Sequence, residues 1–600
     1  MIHSGIGLTN SEKMMEPLLP QNDPEPSRRR AGLEQKREQY RYNYTINPPL
    51  AMADDVPWHD EPSLAWVKLM AVYMMKVLKN NRKAGEAISH TSMFGEFVSL
   101  LETLGREIAA DPVHLIEDAK KAMAEVHIHG RPASLEDYSK LFQTIPLPAI
   151  AATFREDASF ARNFVAATNP LIIQRVSSPG PLFPLTDEQF KSVMGPAASL
   201  SAFGEAGRLF LADYSMLSGA KTGVYQGAPK YVYDPLALFA ASDEGALIPV
   251  AIQIQQEPGP DNPIFLPSHG VNWDIAKLMV MVADCNVSAL YFHQARTHMV
   301  IEPIVIATHR QLSSSHPLNI LLDPHFEGTL FINSLGQKSV FAPGGTIETI
   351  SAATRDSFRA LAVSAVSEDS GFLFTDTSLP RNLKNRGVDD ASIIKDYPFR
   401  DDGLLVWKAI QDWVADYVGV YYQADEDVAG DVELQAWVAE LLSDDGGRMK
   451  GLGEAGGMRT RSGLIETLTC IIFTASAQHW ALNGPLSTLM AFVPYYPIAA
   501  YQPRPRATAG ATEGDFLAAL PPIEQAQAQF GASYLMGSVR YTTLGEYARG
   551  CFSDERVRPL LAAFEASLDQ VEATINERNQ NRAVPYPFMK PSVIPQSINI

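Results

Sequence analysis

Apolar positions recur at helical spacing through most of the second half of the chain, in runs such as WDIAKLMVMVADCNVSALYF and THMVIEPIVIATHRQL. From Val271 onward this patterning predicts helices almost throughout. Upstream, KYVYDPLALFAASDEGALIPVAIQIQ (Lys230–Gln255) carries β-rich runs, which predict a small sheet. Nearer the N-terminus, Pro62 to Gly85 is bounded by helix-start and helix-stop residues. At the helical period Lys68, Lys76 and Lys79 fall on one narrow face, and Leu64, Trp66, Val67, Met70, Tyr73, Met74, Val77 and Leu78 cover the rest. The segment falls short of the roughly 20 uninterrupted apolar residues of a spanning helix. Two readings stay open: a helix lying in one leaflet of a membrane, or one packed on a protein core. Residues 1–55 are rich in Pro, Asn, Arg and Glu and are expected to form a tail, extended or partly disordered. No internal repeat is visible.

Composition narrows the partners. The 600 residues are 46% hydrophobic, enough for a large buried core. A net charge of −19 argues against nucleic acid. Arg28, Arg29, Arg30, Lys36, Arg37 and Arg41 form a basic cluster in this acidic chain, read as a solvated charge run rather than a lipid-binding patch. Cys285, Cys470 and Cys551 are scattered and odd in number, which disfavours a disulfide framework and suits a reducing compartment. The first thirty residues lack a signal-peptide apolar region, so a cytoplasmic location is expected, with peripheral membrane contact as a second expectation.

The candidate chemistry lies in histidines. His293 and His298 stand five apart, and His479 and Asn483 stand four apart in HWALN. Three imidazoles and an amide form a coordination shell for a redox-capable transition metal, with no thiolate among them. His479 and Asn483 share a helix face. His293 and His298 would diverge by about 140° on a regular α-helix. One extra residue in the turn realigns them, so a π-bulge is predicted between Phe292 and His298. His127 and His129 form an H-x-H pair that could bind a metal on a strand, with nothing to corroborate it.

Taken alone, each pair carries little, but the stretches around them are informative. Thr297 to Asn333, including HPLNILLDPH at His316–His325, resembles the lipoxygenase signature, as does WDIAK at Trp273–Lys277. FTDTSLPRNLKNRGV (Phe374–Val388) and DYPFRDDGLLVWKAIQDWVADYV (Asp396–Val418) belong to the same resemblance, which covers roughly Ala161 to Ile600. It implies a mainly α fold: a helical N-terminal region over 56–150, then a large helical catalytic domain over 151–600 with a small β-sheet subdomain. Nothing alternates like the strands of the N-terminal β-barrel found in many eukaryotic members, so a bacterial or cyanobacterial type is expected.

The resemblance further implies metal ligands at His293, His298, His479, Asn483 and the main-chain carboxylate of Ile600. The apolar, proline-stiffened ending VPYPFMKPSVIPQSINI independently suggests a buried terminus, and a buried carboxylate needs a compensating charge. Non-haem iron is the expected metal and manganese the alternative, because the same donors serve both. The implied reaction is dioxygenation of a polyunsaturated fatty acid, linoleate or linolenate, by molecular oxygen after hydrogen abstraction by a ferric hydroxide, in a monomer. Gly336 falls where the family has alanine for S products and glycine for R products, so R stereochemistry is expected, 9R on a C18 acid. The competing reading is a glycine required by backbone conformation. Ile347 matches a pocket position beside the metal; Leu290, Phe292 and Leu482 could line the pocket or simply be core. Gln337 stands where a basic residue is common. Asn483 is followed by Gly-Pro-Leu-Ser, with no visible glutamine to orient the amide. His309, His316 and His325 are expected to hold helices together by hydrogen bonds. Arg208 and Arg504 are conceivable partners for a substrate carboxylate. A hydroperoxide isomerase of the same fold and a non-catalytic lipid-binding protein are the alternatives.

Overall fold

The computed structural model describes residues 16–88, 130–367, 370–453 and 457–600. His127 and His129 lie outside the described residues. The N-terminal segment, expected to lie extended as a tail, contains a 14-residue helix, α1 (Pro26–Gln39), with proline in its first turn and Lys36 and Arg37 in its last. Polar anchors hold it down. Arg29 is buried and donates to both oxygens of Glu433 at 2.6 and 2.8 Å, and to Asp23. Arg37 donates to Arg310 O and to Gln311 Oε1. Arg29 and Arg37 are thus structural anchors, in contrast to the solvated run read from sequence. Stranding Glu433 by removing Arg29 would cost about 3–5 kcal/mol.

Helix α2 (Leu64–Ile88) packs one face on the body, burying Trp66, Val67, Met70, Met74, Val77 and Leu78. Its outer face exposes Leu64, Val72 and Met75 together with Lys68, Lys76 and Lys79. After α3 (Asp157–Ala166) comes the predicted small sheet. Five antiparallel strands pair in sequence order: β1 (Gln174–Val176), β2 (Leu209–Asp213), β3 (Leu236–Ala241), β4 (Leu247–Gln253) and β5 (Ile264–Phe265). Every residue of β3 is buried, because both faces are covered. Phe239 points to Phe160 and Phe164 of α3, while Leu238 points to a second cluster with Phe183 and Phe190.

A buried rod, residues 271–311, runs through the core. It joins α4 (Val271–Val287), a π-helical segment (Ser288–Met299) and α5 (Val300–Gln311). The rod is long and apolar enough to cross a membrane, but 89% of its most apolar window is buried inside the fold. A helix at the centre of a large core is hydrophobic all round for the same reason. Its start is clamped by the WDIAK residues: Trp273 Nε1 and Lys277 Nζ both reach Asp157 Oδ1, at 2.7 and 2.8 Å. Farther along, the carboxylate of Asp284 accepts from Asn163, Asn169, Tyr214 and Tyr496 at 2.6–2.7 Å, tying α3, the end of β2 and the Tyr496 loop to α4.

Further helices pack around the rod, on α2 and on one another. They include α6 (Thr329–Leu335), α7 (Pro398–Tyr421), α8 (Arg461–Phe473), α9 (His479–Asn483), α10 (Ile523–Met536) and α11 (Arg558–Asn581). The chain then turns inward, and every residue from Ile594 to Ile600 is buried. Trp66 of α2 donates from Nε1 to Asn599 O at 2.8 Å, and Ile600 packs with Trp66, Met70, Phe331 and Leu335. Gly328 has φ +80°, and a Cβ there would come within 3.2 Å of Asn599 Cβ, so glycine lets the tail pass close by.

Candidate metal centre

The π-helical winding of Ser288–Met299 turns His293 and His298 to one side. Two local features favour it. Pro303, inside α5, has no N–H to offer Met299 O, and Thr297 Oγ1 donates to His293 O. His298 Nε2 comes to rest 3.3 Å from His293 Nε2, with the ring planes perpendicular. A second π-helical turn, Thr474–Gln478, links α8 to α9 and carries His479 to the same point. Its ring centroid is 4.9 Å from that of His293 and 5.0 Å from that of His298. One nitrogen from each ring lies within 4.8 Å of the others. Among the described residues this is the only such group of three His, Cys, Asp or Glu side chains.

The surroundings prepare these nitrogens for an ion. His298 Nδ1 donates to Asn333 Oδ1 at 2.7 Å, which leaves Nε2 as a bare lone pair. Asn333, on α6, is held in turn by its Nδ2 donating to Glu302 Oε2 at 2.7 Å, and Glu302 Oε1 accepts from Ala53 N at 2.7 Å. Burial pushes the His298 pKa down to about 4, against the Asn333 bond, and pushes the Glu302 carboxyl up to about 7. His293 is held well below its ordinary value by burial and by His298, and His479 by burial and by both other imidazoles. All three rings are therefore neutral, as ligands must be.

Asn483 lies one turn after His479 on α9. Its Nδ2 donates to Met536 O at 2.8 Å, so a main-chain carbonyl at the end of α10 orients the amide without the glutamine missing from the sequence. Gly537 permits this contact, since a Cβ there would strike Ser487 N at 2.3 Å. Asn483 Oδ1 and both ring nitrogens of His479 are buried without hydrogen-bond partners. Each orphaned group would cost about 1–3 kcal/mol in an empty interior. The main-chain oxygen of Ile600 faces His479 and favours its protonated form, against everything else around that ring. Three neutral imidazole nitrogens thus converge, with the Ile600 main-chain oxygen beside His479 and the unpartnered Asn483 amide oxygen one turn along the same helix, a donor set that fits a borderline transition metal such as iron or manganese.

A lipoxygenase family profile matches residues 5–586. The chain belongs to the lipoxygenase family. It is 37% identical to a linoleate 9/13-lipoxygenase of Pseudomonas aeruginosa, over 98% of this chain and 93% of that one. Human polyunsaturated fatty acid lipoxygenase ALOX15B is 35% identical over 80% of this chain and 72% of its own length. Among solved structures, a lipoxygenase in complex with arachidonate superposes with a TM-score of 0.85 at 27% identity, covering 98% of this chain and 83% of that one. A coral 8R-lipoxygenase gives a TM-score of 0.83 at 27% identity, with the same coverage. The protein is accordingly an enzyme of the lipoxygenase, or fatty-acid dioxygenase, class.

In this lipoxygenase Gly336 ends α6 and begins a third π-helical turn, three residues after Asn333. Its φ of −57° and ψ of −47° suit any residue, and a Cβ built there meets nothing within 4 Å. Backbone conformation therefore does not require glycine here. Ile347 is buried on a short helix (Thr346–Ile350) packed against both the Gly336 turn and α10. Leu290, Phe292 and Leu482 are buried members of the main core. Gln337 Oε1 is buried without a partner.

Both arginines considered for the substrate carboxylate are committed elsewhere, Arg208 to Ala241 O and Asp243, Arg504 to Asp261 O. His316 pairs with Asp431 at 2.9 Å, and His325 bridges Gln596 O and Tyr547, as expected of helix-holding histidines. His309 departs from that expectation, because its Nε2 has no hydrogen bond. Sequence reading missed Asn333 and Glu302. The available signal was a glutamate four residues after His298 in the otherwise apolar run MVIEPIVIA.

Proposed function

We propose that this enzyme dioxygenates polyunsaturated fatty acids of the linoleate or linolenate type to conjugated-diene hydroperoxides of R configuration. It would do so with non-haem iron, or manganese in its place, on His293, His298, His479, Asn483 and the Ile600 carboxylate. The observation that carries the reading is the buried cluster of three neutral imidazoles with unpartnered donors around it. The printed substrates of the relatives, linoleate and polyunsaturated fatty acids, support the substrate class.

A trivalent redox metal bound there supplies the one-electron oxidation and the base that remove a hydrogen atom from a bis-allylic carbon. The chain's own residues do the rest. Asn333 and Met536 O aim the His298 and Asn483 donors, and the buried core excludes water from the radical. The open space at Gly336 leaves a pentadienyl carbon uncovered for molecular oxygen, where a methyl group would shield it. All five donors belong to one chain, so a monomer suffices.

A second reading is hydroperoxide isomerisation, supported by the 33% identity to the human hydroperoxide isomerase ALOXE3. Chiral analysis of the product from linoleate separates the cases. The proposal expects mainly R hydroperoxide from the natural enzyme and a shift toward S in Gly336→Ala. An unchanged R/S ratio removes Gly336 from stereocontrol, and turnover of supplied hydroperoxide without any diene from linoleate favours the isomerase.

A further inference from the structure

We propose a second cation site, for a zinc-like divalent ion, in a surface groove bordered by α1, the Trp58–Asp60 turn and the Asp323–His325 turn. The groove has a volume of about 760 Å³ and shares no lining residue with the three-histidine centre. His309 lines it from the last turn of α5, which is the helix that follows His298. Its side chain is 4% exposed and stacks on Tyr40 with 4.4 Å between centroids, yet Nε2 has no hydrogen-bond partner.

Asp323 Oδ1 lies 3.6 Å from His309 Nε2 and 4.0 Å from His59 Nε2. Both separations are too long for hydrogen bonds. Two ligands about 2.1 Å from a tetrahedral ion are about 3.4 Å apart, so the spacing suits atoms that share one. The His59 and His309 rings meet edge-on at 6.2 Å, about 1 Å wider than two imidazoles on one such ion. His59 is half exposed on a short turn and has room to swing inward.

Cys551 lines the same groove. Asp60, held by the Tyr40 hydroxyl at 2.6 Å, adds negative charge facing His309, while Lys36 opposes it. Two imidazoles and a carboxylate form a set that favours zinc over magnesium or calcium. Bound there, the ion would fasten the N-terminal segment to the helix behind the catalytic cluster.

The test uses the holoenzyme with its catalytic metal retained. Equilibrium dialysis should find one Zn²⁺ per chain beyond that metal, and Co²⁺ should give the visible absorption of a tetrahedral site. His59→Ala and Asp323→Asn, both at half-exposed side chains, should each weaken this binding at least tenfold with catalytic metal content unchanged. In the unmutated holoenzyme, saturating Zn²⁺ should raise the melting temperature. Absence of a second equivalent, a second equivalent that survives both substitutions, or a melting temperature that does not move would overturn the proposal.

Discussion

Asn333 shows how much of the catalytic centre depends on residues that never touch the ion. It fixes the tautomer of His298, is itself fixed by Glu302, and lies one turn before the open position at Gly336. Removing such a partner from a ligating histidine typically costs 10–100-fold in metal affinity. Asn333→Ala is therefore expected to bind its metal 10–100-fold more weakly while keeping its fold. Competition with a chelator measures this, and an unchanged affinity would show that the cluster aligns itself. The histidines were legible in the sequence because they stand at ligand spacing inside recognisable surroundings. Asn333 was not, because its partner lies 35 residues away and contact across that distance leaves no periodic mark.

Helical elements place these residues by departing from regular winding. The π segment at Ser288–Met299 was legible, since an i, i+5 pair can share a face only if the helix widens. The turn at Thr474–Gln478 was not, because His479 and Asn483 already align on an ordinary α-helix. Its purpose is to carry the pair to the rod, a tertiary requirement. Helix α1 was hidden for a similar reason, as its anchor Glu433 lies 404 residues from Arg29.

Asp284 on α4 joins several elements through one buried carboxylate. Burial pushes its pKa up to about 6 in the fold, against an ordinary 3.8, with the four donors pulling the other way. A raised acid contributes stability that is complete below the unfolded value and is lost as pH rises through the folded one. The shift predicts a loss on the order of 3 kcal/mol between about pH 4 and 6 from this group. Denaturant midpoints should show that component of the pH slope in the natural protein and lack it in Asp284→Asn; equal slopes would contradict the assignment. The tail is the other critical element. One residue appended after Ile600 should displace the carboxylate and lower metal content and activity together, whereas retention of both would exclude it as a ligand.

At the scale of the whole molecule, a long apolar rod that would pass for a membrane span is instead the core on which the sheet, the surrounding helices and the C-terminal tail assemble. The helices beyond Val271 and the small sheet were legible from hydrophobic period, and the mainly α architecture as a whole from the family resemblance. Burial of the tail between α2 and α6 was foreshadowed by its apolar sequence, but its neighbours could be known only once the chain had folded. The assembled fold brings donors near residues 293, 479 and 600 to one buried point and leaves a gap beside Gly336. The central claim is that this point holds the redox metal that dioxygenates a fatty acid. Ultraviolet absorbance of conjugated diene, followed while metal-analysed protein is incubated with linoleate in aerated buffer, tests it most directly. The account predicts a rise that requires both oxygen and bound metal and that is abolished in His479→Ala. No rise across several polyunsaturated acids with the site fully loaded, or a rise that persists without metal, would contradict it.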